Sequence, residues 1–247
     1  MNNFSKSGIR GFDELLEGKG FMKGSLIALS GPTGVGKSTF AMQFLVNGAV
    51  LYTEPGVYIT IEGGRDSLLL QMNAYNWELD RLEKEKSVLI LDYPIEEVDQ
   101  FLTRNSAVKD LVESVSAERV VIDSILPLAL MKTTEEERQS MFINLASNIK
   151  SWGATTIVIT EDSPVDSTVP QTRYHFENFS DTWIYMSYDR QGKDVSREIE
   201  IVKAKGVKHY MGKRPIEISK EGVSVALPEW EGEKNKKILQ DKKLRRK

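Results

Sequence analysis

The chain has 247 residues, with 33 Lys or Arg, 36 Asp or Glu and no cysteine. Its length and its 40% hydrophobic content are sufficient to bury a full core in one or two domains, which excludes a wholly disordered protein. The lack of cysteine excludes disulfides, thiolate metal sites and iron–sulfur clusters, and a formal net charge of −3 provides no overall attraction to nucleic acid.

Apolar runs in the sequence are short. The longest, Ile125 to Met131, falls far below the roughly 18 residues that a membrane-spanning helix needs. The opening segment, MNNFSKSGIR, lacks the apolar core of a secretory signal. We therefore expect a cytoplasmic protein without a membrane partner.

Strand and helix patterns alternate along the chain as far as Thr160. Short runs rich in β-branched residues predict strands, and segments with a helical spacing of apolar residues lie between them. The predicted strands are Ser25–Ser30, Gly56–Ile61, Ser87–Leu91, Arg119–Ile122 and Ala154–Thr160. The predicted helices are Lys37–Asn47, Asp66–Asn76, Val98–Ser114 and Glu135–Trp152. This order predicts an α/β fold with a mainly parallel central sheet flanked by helices.

The pattern changes after Asp181. Three consecutive strands joined by turns are predicted at Thr182–Tyr188, Arg197–Lys203 and Pro215–Ile218, and they would extend one edge of the sheet antiparallel. We assign residues 1–230 to one domain and residues 231–247 to a basic tail, which has eight Lys or Arg against three acidic residues. The tail could contact nucleic acid or an acidic protein surface, or it could be a solvated chain end.

A phosphate-loop motif, G-x-x-x-x-G-K-[ST], follows the first of these predicted strands and opens the first helix. Its residues are Gly31, Pro32, Thr33, Gly34, Val35, Gly36, Lys37 and Ser38. Glycines allow backbone N–H groups to turn toward an anion, and the start of a helix adds free donors and a positive dipole end. Lys37 can reach the β- and γ-phosphates, Ser38 can bind Mg²⁺, and Thr39 lies beside the phosphates. The motif therefore predicts a site for a nucleoside triphosphate with Mg²⁺.

Carboxylates follow further predicted strands, at the sheet edge where the phosphate loop lies. Asp123 is placed to hold Mg²⁺ through water, although an aspartate there could instead cap a helix. Glu62 could orient or deprotonate the attacking water, although Gly63 after it would also suit a glutamate in a turn. Thr160 and Glu161 could contact the γ-phosphate or its water, and a purely structural role is equally open.

Together these segments resemble the KaiC-like ATPases of the RecA superfamily, from about Gly8 to Leu227. Gly8–Leu16 resembles the family's lead-in to the phosphate loop. Tyr58–Glu62 resembles the strand that ends in its catalytic base, and Val121–Ser124 resembles its Walker B strand. Lys203–His209 resembles the K-x-[RK]-G-x-x-H segment, which in the family reaches the nucleotide of a neighbouring subunit. The resemblance implies a RecA-like P-loop NTPase core, ATP rather than GTP, and a homohexameric ring with nucleotide at the subunit interfaces.

The resemblance also implies that Lys203, Lys205 and His209 complete the nucleotide site of the adjacent subunit. Two positions depart from the family pattern. Gly63 stands where a second glutamate is common, which points to slow turnover. Lys205 stands where many members have arginine, and a lysine offers a point charge instead of a bidentate grip on phosphate.

The sequence thus predicts a Mg²⁺-dependent ATPase that forms ADP and phosphate within a homo-oligomeric ring. Its expected catalytic residues are Lys37, Glu62, Lys203 and Lys205. One alternative is a recombinase-like ATPase stimulated by single-stranded DNA, against which the acidic body of the chain counts. Another is a regulatory switch that binds ATP with little turnover, which the missing second glutamate favours.

Overall fold

The computed structural model describes residues 3–61, 63–94, 97, 107–161, 170, 172–190 and 194–227. Three of the sequence predictions lie outside these residues. They are the candidate base Glu62, the first part of the helix predicted at Val98–Ser114, and the basic tail.

Strands and helices alternate along most of the described chain. The strands are β1 Phe4–Ser5, β2 Phe21–Met22, β3 Leu26–Ser30, β4 Gly56–Thr60, β5 Val88–Asp92, β6 Arg119–Asp123, β7 Thr155–Ile159, β8 Thr182–Asp189, β9 Ser196–Ala204, β10 Arg214–Ser219 and β11 Gly222–Val225. The helices are α1 Lys37–Tyr52, α2 Arg65–Met72, α3 Leu79–Lys84, α4 Ala107–Ser114, α5 Leu126–Leu130 and α6 Glu135–Ser151, and two 3₁₀ helices occupy Asp13–Leu16 and Phe176–Phe179.

A nine-stranded sheet forms the centre of the fold, in the order β11-β10-β9-β8-β3-β7-β6-β4-β5. The strands from β8 to β5 run parallel to one another, while β9, β10 and β11 continue the sheet antiparallel beyond β8. The predicted α/β fold, with its antiparallel C-terminal edge, is therefore confirmed. The strands β1 and β2 form a separate antiparallel pair.

Both faces of the sheet are covered, which explains why its central strands are apolar without alternation. Ile27 and Leu29 of β3 belong to a core shared with α1, α2 and α3. Leu26 and Ala28 of the same strand belong to a second core, shared with α4, α5 and α6. None of the helices in the described parts of the chain is long and apolar enough to cross a membrane.

One predicted helix, Asp66–Asn76, proved too long. The helix α2 ends at Met72, because the next residues turn to meet the C-terminal edge of the sheet. There the backbone N–H of Asn76 donates to Lys220 O at 3.0 Å, and the Trp77 indole donates to Glu221 O at 3.4 Å.

The last described strand is also tied to the helix that follows the phosphate loop. Gln43 of α1 donates to Val223 O at 3.2 Å and accepts from Val223 N at 2.6 Å. The β10–β11 hairpin is thus braced against α1 as well as against the turn that follows α2.

Candidate functional site

The phosphate loop connects β3 to α1, as the motif predicts. Gly31, Gly34 and Gly36 have φ values of 147°, 79° and 111°, in the region that favours glycine. A Cβ on Gly31 would lie 2.3 Å from Met186 O in β8, so neighbouring backbone also requires glycine there. Within the described part of the chain, no side chain caps the start of α1. The first turn of a helix that begins in this way is a common binding site for anions.

The ammonium group of Lys37 lies over the loop. Its Nζ donates to Gly31 O at 2.7 Å and to Pro32 O at 3.1 Å. These contacts keep a positive charge beside the loop that the glycines shape. The position suits electrostatic binding of a polyphosphate.

Three side chains from different elements meet at one carboxylate oxygen. Asp123, at the end of β6, accepts through Oδ2 a hydrogen bond from Ser38 Oγ at 2.7 Å. The same Oδ2 accepts from the Tyr58 hydroxyl of β4 at 2.5 Å. Burial raises the pKa of Tyr58 well above its ordinary value, and the charge of Asp123 raises it further, so the phenol stays protonated and donates.

The parallel pairing of β4 with β6 brings this cluster together, since Thr60 is the register partner of Asp123. Ser38 and Asp123 were predicted from the sequence, whereas Tyr58 was not. A signal was present, because a tyrosine within a buried strand needs a hydrogen-bond partner for its hydroxyl.

A cleft of about 460 Å³ opens beside the loop and is lined by Lys37, Ser38, Thr39, Asp123 and Glu161, among others. A second cleft of about 250 Å³ adjoins it and is lined by Ser38, Asp123, Thr60, Gly63 and Gly64. The Ser38–Asp123 pair therefore lies between two open spaces, one of them beside the phosphate loop.

One wall of the larger cleft is aromatic. The Tyr75 hydroxyl lies 3.0 Å from Thr39 Oγ1, and the Tyr75 ring stacks on Trp77 with centroids 4.4 Å apart. Thr39, which the sequence analysis placed near the phosphates, is thus fixed by a residue from the turn after α2.

The end of β7 also reaches the cleft. Glu161 lines it, whereas Thr160 is buried, and its hydroxyl has no hydrogen-bond partner among the described residues. Their contact with a γ-phosphate or its water stays a prediction.

The candidate trans residues lie on β9 and in the segment between β9 and β10. Lys203 of β9 is the register partner of Trp183 in β8, which is in turn the partner of Ala28 in β3. Ala28 lies three residues before the first glycine of the phosphate loop, Gly31. Lys203 Nζ donates to Glu177 O at 2.5 Å, and burial, followed by the charge of Lys205, lowers the Lys203 pKa.

Lys205 Nζ lies 3.6 Å from Asp181 Oδ1, and His209 Nε2 is buried without a hydrogen-bond partner among the described residues. In the described structure neither of these side chains, nor that of Lys203, lines the cleft of its own chain. Their contact with the nucleotide of a neighbouring subunit stays a prediction.

The fold and the loop define the class of protein as a RecA-like P-loop NTPase. The family model for the KaiC ATPase matches residues 5–229, and the chain belongs to this family.

The chain is 30% identical over 228 residues to the circadian clock oscillator protein KaiC of Parathermosynechococcus lividus, which covers 89% of this chain and 42% of that protein. It is 29% identical over 225 residues to KaiC of Synechococcus elongatus, covering 88% and 43%. The chain thus spans less than half the length of these curated relatives. The crystal structure of a KaiC-like protein from Pyrococcus horikoshii OT3 matches with a TM-score of 0.79 at 36% identity, covering 90% of this chain and 97% of that one.

Proposed function

We propose that this chain binds ATP with Mg²⁺ in the cleft beside the phosphate loop and hydrolyses it to ADP and phosphate. The observation that carries the proposal is the 2.7 Å hydrogen bond between Ser38 Oγ and Asp123 Oδ2. It joins the loop at the end of β3 to the carboxylate at the end of β6. Membership of an ATPase family supports the same reaction.

The residues present fit a divalent cation. Ser38 and Asp123 supply a hydroxyl and a carboxylate, which are the hard oxygen donors that Mg²⁺ prefers. They would hold the ion at the junction of the two clefts. When bound, Mg²⁺ neutralises charge on the β- and γ-phosphates.

The remaining roles belong to the loop and to one glutamate. The backbone N–H groups of residues 33–38 and the Lys37 ammonium bind the phosphates, and Thr39 lies near the phosphates. Glu62, which follows β4 and Ile61 in the sequence, orients or deprotonates the attacking water.

The site is completed by a neighbouring copy of the chain, through Lys203, Lys205 and His209. Within the described part of the chain, none of the three lines either cleft of its own chain, which supports contact with another subunit's nucleotide. A head-to-tail interface of this kind closes into a ring, and a hexamer is the expected assembly.

The test starts from the purified chain with Mg-ATP. We expect ADP formation and, with nucleotide bound, a particle several times the mass of one chain. Lys37→Ala should abolish nucleotide binding. Glu62→Gln should retain ATP binding but lose most hydrolysis, while the matched variant Glu136→Gln, at an exposed position of α6, should keep most of it. Equal turnover in wild type and Glu62→Gln would remove Glu62 from the mechanism.

One observation favours a second candidate, an ATP-dependent switch with little turnover. Gly63 carries no carboxylate next to Glu62, so only one base follows β4. A single-turnover measurement separates the two functions. Retention of unhydrolysed ATP over hours would favour the switch, and repeated turnover would favour the ATPase.

A further inference from the structure

We infer that Tyr58 is a positioning residue for the divalent cation, acting through the carboxylate of Asp123. This inference rests on the proposed function, because it concerns the same metal site. It assigns a task to a buried side chain that lines neither cleft of the described structure.

Tyr58 is rigidly placed. It is fully buried in β4, and it belongs to the core shared with α1, α2 and α3. Its hydroxyl donates to Asp123 Oδ2 at 2.5 Å, and the close packing of the interior restricts movement of the ring. The phenol is therefore a fixed donor on the strand next to that of Asp123.

One oxygen of the Asp123 carboxylate accepts both of its side-chain hydrogen bonds. Ser38 and Tyr58 both donate to Oδ2, whereas no described residue donates to Oδ1. Asp123 also lines both clefts. The carboxylate is thus held by one oxygen from inside the protein, and its other oxygen is left for the cleft.

In metal sites, residues that hydrogen-bond to the metal ligands commonly fix the orientation of those ligands. A carboxylate at the end of a strand has rotational freedom, and a donor behind it fixes its orientation before a cation arrives. Ser38 cannot serve as that fixed donor alone, because it is itself a proposed metal ligand. Tyr58 keeps Asp123 oriented whichever partner Ser38 takes.

The experiment measures metal affinity directly and does not depend on turnover. Mn²⁺ binding to the protein saturated with a non-hydrolysable ATP analogue is followed by electron paramagnetic resonance. Tyr58→Phe removes the hydroxyl and leaves the ring in place. We expect it to raise the Mn²⁺ dissociation constant about tenfold. Analogue affinity measured in EDTA should stay within about twofold of wild type, because the loop N–H groups and Lys37 are unchanged.

The matched control is Tyr93→Phe. Tyr93 is buried in the other core, and its hydroxyl donates to Glu97 O at 3.2 Å. This variant should change neither affinity. A Tyr58→Phe variant with wild-type Mn²⁺ affinity, or with an equal loss of metal and of metal-free nucleotide binding, would overturn the inference.

A double-mutant cycle with Asp123→Asn tests the route of action. If Tyr58 acts through the carboxylate, adding Tyr58→Phe to Asp123→Asn should cause no further loss of Mn²⁺ affinity, and an additive loss would refute this. If Asp123→Asn itself leaves Mn²⁺ affinity unchanged, the proposed metal site is wrong. If Asp123→Asn weakens Mn²⁺ binding but Tyr58→Phe does not, only the role of Tyr58 fails.

Discussion

A buried ion pair at the other end of β6 should be essential to stability. Arg119 has 0% exposed surface, and its Nε donates to Glu54 Oε2 at 2.7 Å. The same guanidinium donates to Phe44 O and to Lys6 O, each at 2.7 Å. It thereby connects α1, the N-terminal segment and the start of β4. We predict that Arg119→Met, which keeps much of the volume, strongly destabilises the fold.

The magnitude follows from what the substitution leaves behind. Removing one partner of a buried pair typically costs about 3–5 kcal/mol, because the other charge stays buried without compensation. Glu54 would keep its ion pair with Lys23, whose Nζ lies 3.0 Å from Glu54 Oε1. The Glu54 side chain is also 10% exposed, so water can reach part of it. We therefore expect the lower end of that range, about 3 kcal/mol.

The same pair predicts a pH dependence. Burial acts to raise the pKa of Glu54, but the charge and hydrogen bonds of Arg119, aided by Lys23, outweigh it, so the pKa lies below its ordinary value of 4.5. A lowered pKa in the folded state means that the stabilisation is present above pH 4.5 and is lost as the pH falls through the folded value. The difference in free energy of unfolding between wild type and Arg119→Met should therefore become smaller as the pH falls.

The assay is urea unfolding of the nucleotide-free protein at one fixed concentration, at pH 7 and at a series of lower pH values. Adding Glu54→Gln to Arg119→Met should regain part of the lost free energy, because it removes the unpaired charge. A loss below about 1 kcal/mol at pH 7, the size expected for exposed pairs, would refute this reasoning, as would a gap that widens in acid.

Three further predictions concern the loop, the subunit interface and one helix. Gly31→Ala should abolish ATP binding in a titration, because its Cβ would lie 2.3 Å from a backbone oxygen, and wild-type affinity would contradict this. Mixing Lys203→Ala and Lys37→Ala subunits should restore ATPase activity at about a quarter of the interfaces, and inactive mixtures that assemble would exclude the trans role. Thr134→Ala removes the capping hydrogen bond to the N–H of Glu137 at 3.2 Å in α6 and should cost about 1 kcal/mol in thermal unfolding. An unchanged melting temperature would show that this cap is not needed.

The fold could be predicted because its strong signals are local. β3, β4 and β6 are continuous apolar runs, and such runs indicate strands covered on both faces. The short helices α3 and α5 and the short strand β11 escaped prediction. Each is too short to show a periodic spacing of apolar residues. Each is stabilised by contacts with residues distant in sequence, such as the two hydrogen bonds between Gln43 and Val223.

Individual residues also differ in whether a local sequence pattern predicts their role. The phosphate loop is a contiguous motif, and Asp123 follows an obvious strand. Arg119 begins that strand, where a charged residue is usually exposed. Its burial depends on the pairing of β4 with β6, which places Gly56 opposite Arg119 and brings Glu54 close. Tyr58 likewise contacts Asp123 only because β4 pairs with β6, so no spacing along the chain reveals the contact.

The bracing of the β10–β11 hairpin connects the cleft beside the phosphate loop to the last described strand of the fold. The hairpin turn holds Trp77, Trp77 stacks on Tyr75, and the Tyr75 hydroxyl meets Thr39. Because these contacts form a continuous chain, we expect a displacement of β11 to reach the first turn of α1. A reporter group placed at Lys220 tests this expectation, since its signal should change when a nucleotide fills the cleft.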